Sequence, residues 1–173
     1  MLTVMTDTAR LGSSCVDSFR ELMSCFPSGV TVITTCDRDG SPRGLTCTSL
    51  CSVSMRPPML LACVANHSDT LAVLLRNGAF AVNLLHAGGR DAAQVFASPI
   101  PDRFRLVNWA RTPACGLPWL RSDAHAVAEC LVTDAVPAGD HTVVFGVVDS
   151  VVAAPDRPLL YGLRQYAAWA PSE

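Results

Sequence analysis

The chain has 173 residues, half of them hydrophobic and 16% charged, and a formal net charge of -2. That length is one domain with room for a full core. The near-neutral balance and the lack of a basic cluster exclude a nucleic-acid-binding face, and no apolar run reaches the roughly 18 residues of a membrane span.

All thirteen cations are arginine, so any phosphate clamp must be Arg, a hydroxyl or a backbone amide. The charged fraction is below the usual value of about 25%, which leaves apolar surface for a partner to cover. A second copy of the chain is the commonest cover, so a homodimer is expected. Residues 1–14 lack the basic start and apolar block of a secretory signal. The eight cysteines form no CxxC pair, and Cys47 and Cys51 lack a second ligand pair at zinc-like spacing. Cys36, Cys47, Cys51, Cys63 and Cys130 lie in or beside strand-like apolar runs and behave as small hydrophobes. Reduced thiols, a cytoplasmic protein and no metal follow as expectations.

Residues 1–14 are small and polar without a period, which predicts a flexible N-terminal tail ahead of a single domain over 15–173. Residues 16–25 place Val16, Phe19, Leu22 and Met23 on one helical face, and Pro27-Ser28-Gly29 ends that helix. Residues 30–36 are β-branched and read as a strand. Asp37-Arg38-Asp39-Gly40 is a hairpin turn, and a second strand runs on through Gly44-Leu45. Next comes "TCTSLCSVSMRPP", residues 46–58, with five hydroxyls in thirteen side chains. It is read as a hydroxyl-rich loop between two strands.

Residues 59–65 make a third strand. Ser68 is the N-cap of a helix with Leu71, Leu74 and Leu75 on its apolar face, closed by Arg76 and Asn77-Gly78. Residues 79–85 form a fourth strand with Phe80, Val82 and Leu84 on one face, and residues 90–97 a short helix after Gly88-Gly89. Residues 98–122 are a long irregular connection, with Trp109 and Trp119 as anchors. Residues 124–133 and 142–152 are two long strands joined by residues 137–140, and an apolar, aromatic stretch covers 158–169. About six strands with two or three short helices favour a closed or nearly closed antiparallel barrel, mainly β, over a doubly wound sheet.

A ligand rich in phosphate and ring polar atoms suits a hydroxyl-rich connection, and the helix start at Ser68 suits an anion. From spacing alone, a plain turn and a plain cap explain the same residues. No GxGxxG is present, so a nucleotide cofactor would bind by another architecture. His86 and His125 receive no role.

The ordered segments FPSGVTVITT, PRGLTCTSLCSVSMRPPMLLACV, NHSDT, FAVNLL, DRF, GDHTVVFGVV and RPLLYGLRQY resemble the short-chain flavin reductases that serve two-component flavin-dependent monooxygenases. The resemblance covers residues 16–168. It implies an FMN-binding split β-barrel and a reductase that passes hydride from NADH to FAD or FMN, FAD slightly preferred. It also implies delivery of the reduced flavin to a separate monooxygenase.

By the resemblance, Thr46, Thr48, Ser49 and Ser52 contact ribityl and phosphate oxygens. Cys47, Leu50 and Val53 face the isoalloxazine, His67, Ser68 and Thr70 take the phosphate, and Ser98 adds a flavin contact. Gly139, Asp140 and His141 lie by the nicotinamide with Phe104, Arg164 and Tyr166, and His141 orients NADH or assists proton movement. The family often carries an aromatic where Leu50 stands, and many relatives have a Lys near Asn66; this chain has neither. The rivals are a pyridoxamine-phosphate-oxidase-like enzyme, which would want a basic phosphate pocket, and a non-catalytic flavin carrier or sensor.

Overall fold

A computed structural model describes residues 13–170. The chain runs α1 (Ser13–Ser24), β1 (Ser28–Gly29), β2 (Thr31–Cys36), β3 (Pro42–Cys47), β4 (Leu50–Met55), β5 (Pro58–Ala65), α2 (Asp69–Asn77), β6 (Ala79–Leu85) and α3 (Arg90–Ala97). A 3-10 turn (Arg103–Arg105) and the strands β7 (Ala110–Arg111) and β8 (Pro118–Trp119) follow. Then come β9 (Ala124–Ala138), β10 (His141–Ala153), β11 (Leu159–Gly162) and β12 (Gln165–Ala168). Of the expected tail over 1–14, residues 1–12 lie outside the described residues, and Ser13 and Ser14 already open α1.

Seven strands form one antiparallel sheet in the order β3-β2-β6-β9-β10-β5-β4. β3 and β4 stand at opposite edges, yet only Thr48 and Ser49 separate them along the chain. Three Cα steps reach about 11 Å at most. The sheet must therefore curl until its edges nearly meet. No ladder joins β3 to β4, so the result is a barrel split along one seam.

The expected loop over 46–58 is thus mostly strand. Thr46 and Cys47 finish β3, residues 50–55 are β4, and only Thr48-Ser49 and Arg56-Pro57 turn the chain. The strand ladders with β5 across a bulge at Val53, and its hydroxyls together with that bulge hide it from a hydropathy reading.

β2 is buried at all six positions because both its faces are covered. Ile33 packs with Leu71 and Leu74 of α2, whereas Val32 packs with Ala93 and Phe96 of α3. Its threonines bury their hydroxyls only by donating them, Thr31 to Cys47 O at 2.7 Å, Thr34 to Pro118 O at 2.6 Å and Thr35 to Ala79 O at 2.8 Å. Phe80 and Val82 fill the core as expected, with Leu84 partly buried against it. On α2 the buried fourth position is Val73, and Leu75 faces solvent.

The last two long strands exceed their expected bounds. Gly139 at φ 62° lets a two-residue turn, Gly139-Asp140, close β9 directly onto β10. Residues 98–122 are largely irregular. Trp109 packs on Phe104 at 5.5 Å and Trp119 on the Leu117 cluster, so both anchor that segment within the chain. Among the described residues the apolar face of α1 is left largely uncovered: Phe19 is 59% and Leu22 66% exposed.

Candidate functional site

A cavity of about 910 Å³ opens where the barrel is split. One wall is the seam itself: Thr46 and Cys47 at the end of β3, the corner Thr48-Ser49, and Cys63 and Ala65 from β5. The other wall brings Arg90 and Gln94 from α3 together with Tyr161, Arg164 and Tyr166 from the β11–β12 hairpin. His67, Ser68 and His141 close one end.

The hydroxyls divide by what their protons already do. Thr46 Oγ1 donates to Ala93 O at 2.7 Å, and Ser49 Oγ to Cys63 O at 3.0 Å. Toward a ligand these two oxygens can only accept, which suits ligand O–H or N–H groups. Ser68 occupies the N-cap position of α2 but makes no side-chain capping bond. Its hydroxyl, with that of Thr48, remains able to donate to phosphate oxygens. The expected cap is thus positional only, and the capping residue is spared for the cavity it lines. Cys47 is buried, and burial pushes its thiol up despite hydrogen bonds at Ser49 and the Cys63 carbonyl. It is a neutral wall of the site and no nucleophile.

The charged side chains of the lining are of one sign. Arg90 and Arg164 line the cavity beside the imidazoles of His67 and His141, and among the described residues no carboxylate does. The Arg90 guanidinium lies 5.8 Å from the centre of the Tyr166 ring. Burial raises the Tyr166 phenol above its ordinary value, with Tyr161 adding to the rise. Leu163 and Arg164, at φ 49° and 60°, make a tight turn of the β11–β12 hairpin that carries Arg164 to the cavity. His141, the first residue of β10, pairs Nδ1 with Asp140 Oδ1 at 2.7 Å. The hydrogen bond from His141 holds the exposed Asp140 carboxyl below its usual range. With Nδ1–H given to the carboxylate, Nε2 is the nitrogen left for a ligand.

Nine of the residues singled out from sequence line this cavity: Thr46, Cys47, Thr48, Ser49, His67, Ser68, His141, Arg164 and Tyr166. Leu50 packs against the core beside them, and Ser52 and Val53 are exposed on β4. Ser98 spends its hydroxyl on Val95 O at 2.8 Å. Gly139 and Asp140 form the turn next to His141, and the Gly139 carbonyl accepts from Asn66 Nδ2 at 3.2 Å. Thr70 and Phe104 face a different cavity. Sequence reasoning missed Arg90, Gln94 and Tyr161. A signal existed at Gly89, where a Cβ would stand 2.6 Å from Asp123 O. That glycine lets α3 start close to the sheet and delivers Arg90 to the rim.

A split antiparallel barrel with a hydroxyl-lined, cationic cavity at its seam is the build of a flavin-binding oxidoreductase. The chain belongs to the flavin reductase like domain family, which matches residues 23–170. It is 52% identical over 152 residues to a flavin reductase (NADPH) of Lentzea aerocolonigenes, covering 88% of this chain and 89% of that one. It is 33% identical to the HsaB reductase subunit of a flavin-dependent monooxygenase from Rhodococcus jostii, over 99% of this chain and 88% of that one. Among solved structures, the NADH:FAD oxidoreductase SgcE6 of Streptomyces globisporus, in complex with NAD and FAD fragments, superposes with a TM-score of 0.85. That pair is 33% identical, covering 93% of this chain and 96% of the other.

Proposed function

We infer that the seam cavity holds a flavin ring with one face open to a dihydronicotinamide, and that the reduced flavin leaves for a separate monooxygenase. The chain is an NAD(P)H-dependent flavin oxidoreductase. The observation that carries the reading of its site is the division of hydroxyls. Accepting oxygens at Thr46 and Ser49 match ribityl O–H groups, and donating hydroxyls at Thr48 and Ser68, with Arg90, match phosphate. The donor set therefore fits a flavin nucleotide. The flavin supplies the hydride-accepting ring; binding, orientation and water exclusion fall to the protein.

Cys47, Cys63 and Ala65 give the ring an apolar floor with no group to compete for hydride. Arg164 and Tyr166 enclose the mouth from the opposite wall. Asp140 fixes the imidazole of His141, so that Nε2 meets the nicotinamide amide or a proton leaving the site. FAD is preferred to FMN, and NADH serves as donor. The exposed apolar face of α1, together with Phe26 at 68% and Met55 at 80% exposure, supports a homodimer. Eight free cysteines suit a reducing cytoplasm. The two HsaB-type features, a small reductase and a separate oxygenase, apply here through the family.

Initial rates with NADH and NADPH against FMN, FAD and riboflavin test this reading. Oxidation of reduced nicotinamide that depends on added flavin is expected; tightly held flavin without any nicotinamide oxidation overturns it. His141→Ala should keep flavin binding and lower kcat/KM for NADH by roughly 10²–10⁴-fold, the scale of one positioned acid–base group. Unchanged turnover removes His141 from the mechanism.

A further inference from the structure

The β5–β10 ladder ends at the pair of Ala65 with His141. Asn66 comes next, in a turn that the Ser68 N–H closes onto Ala65 O at 3.0 Å. Ala65, His67 and Ser68 line the seam cavity, and Asn66 between them does not. Its side chain serves the β9–β10 turn instead. Nδ2 donates to Gly139 O at 3.2 Å, and Oδ1 accepts from Thr142 Oγ1 at 2.8 Å. The Asn66 backbone N–H donates to Asp140 O at 2.9 Å. One residue thus holds positions 139, 140 and 142, on both sides of His141.

The hairpin does not need these bonds to close. Gly139 at φ 62° and the pairing of His141 with Ala138 already make the turn. Nor does Asp140 suffice to place the imidazole. Its carboxylate meets His141 Nδ1 at 2.7 Å, but the two side chains are 94% and 44% exposed, and an exposed pair holds little against water and salt. The Asn66 amide is directional. Gly139 O can only accept, so Nδ2 must face it, and Oδ1 is left for the Thr142 hydroxyl. Thr142 is buried and pairs with Val64 of β5. The clip therefore ties both flanks of His141 to the strand that carries Cys63 and Ala65 to the cavity.

We propose that Asn66 is a positioning residue for hydride transfer: clipped to Gly139, Asp140 and Thr142, it fixes where His141 Nε2 meets the dihydronicotinamide. The proposal rests on the role given to His141 above. Asn66 acts through the backbone on either side of the imidazole, and small displacements of a reacting pair cost rate steeply.

The test compares Asn66→Ala, Thr142→Val, Thr142→Ser and His141→Ala with wild type, and combines Asn66→Ala with His141→Ala. The readouts are the FMN dissociation constant, and kcat and KM for NADH at saturating FMN. Asn66→Ala and Thr142→Val should each lower kcat/KM for NADH about tenfold, the scale of one lost hydrogen bond, with the FMN constant unchanged. Thr142→Ser keeps the hydroxyl and should recover most of that loss. In the His141→Ala background Asn66→Ala should cost nothing further, because the group it places is gone. Wild-type kcat/KM in Asn66→Ala overturns the proposal, as does a loss that adds in full to that of His141→Ala. So does FMN binding that weakens in step, the mark of a loosened turn at Ser68. If Asn66→Ala does not fold, Thr142→Val decides, because it keeps the β-branched shape of the strand residue. Turnover unchanged in His141→Ala overturns the role of His141 and this proposal with it; losses confined to His141→Ala overturn this proposal alone.

Discussion

Glu129 is 1% exposed, and its carboxylate gathers four donors, three from the β7–β8 connection and one from β10. Thr112 Oγ1 and the Cys115 N–H donate to Oε2; the Ala114 N–H at 3.1 Å and Ser150 Oγ at 2.8 Å donate to Oε1. Burial opposes its ionisation, yet those hydrogen bonds outweigh burial and hold the carboxyl below its ordinary value. In Glu129→Gln one amide oxygen keeps two of the bonds, and the NH2 turns against the Ala114 N–H, donor to donor. The Ser150 hydroxyl can rotate to accept. One orphaned backbone N–H costs about 1–3 kcal/mol, and two bonds losing their charge cost about 1 kcal/mol each. Relief of the buried charge returns part of this, leaving about 2–4 kcal/mol, or a Tm about 5–12 °C lower for a domain of this size. The acid limb adds a signature. A carboxyl depressed in the fold contributes stability that is complete above its unfolded value, about pH 4.3, and lost as pH falls through the lower folded value. Thermal melts from pH 7 downward should show the gap between wild type and variant narrowing below that point. A variant that melts with wild type at pH 7, or a gap indifferent to acid, refutes the account.

Gly146 sits against the core: a Cβ there would stand 2.7 Å from Phe80 Cζ and 2.9 Å from Cys130 Cβ. Gly146→Ala should lower stability by about 1–3 kcal/mol through overpacking, read as a lower urea midpoint at constant m. Burial pushes the Cys130 thiol up to about 12 and raises those of Cys36 and Cys47. These three should resist iodoacetamide at pH 8 in the folded protein while exposed Cys25 and Cys51 react. Cys63 is partly exposed and lines the cavity, so saturating FMN should slow its alkylation as judged by peptide mass; equal rates with and without FMN would move the ring elsewhere.

Much of the barrel was legible because its strands are long and punctuated by turn chemistry. Asp37 to Gly40 closes a hairpin with Gly40 at φ 82°, and Gly78 at φ 70° ends α2; both follow from local backbone preference. β4 was not legible. Its Ser52, Val53 and Ser54 straddle a bulge, so no clean alternation of apolar and polar residues survives, and the prolines after it imitate a loop. The exposed face of α1 could be predicted as apolar but not as unburied, because burial depends on what the rest of the chain, or a second copy, brings to it. Arg90 escaped for a related reason: it lies 74 residues from Arg164 in sequence, and only the start of α3 beside Asp123 brings both to one cavity.

The position of the site follows from the way the sheet closes. A sheet edge carries unpaired N–H and C=O groups, and a fully closed barrel has none. Here the two-residue link Thr48-Ser49 forces the edges of β3 and β4 together while leaving no ladder between them. The polar groups along that line need partners other than each other. Side chains satisfy part of the need: Thr31 donates to the Cys47 carbonyl and Ser49 to the Cys63 carbonyl. What remains is a line of acceptors and free hydroxyls beside two arginines, the surface on which the proposed flavin site rests. Lengthening the link by two glycines after Thr48 would let the edges separate. The barrel core should survive, because its main cluster draws chiefly on α2, β2, β5, β6, β9 and β10, with only Cys47, Leu45 and Leu50 from the two separated edges. Flavin affinity should fall well before stability does, and a chain with the longer link that binds FMN as wild type does would show that seam geometry is not what makes the site.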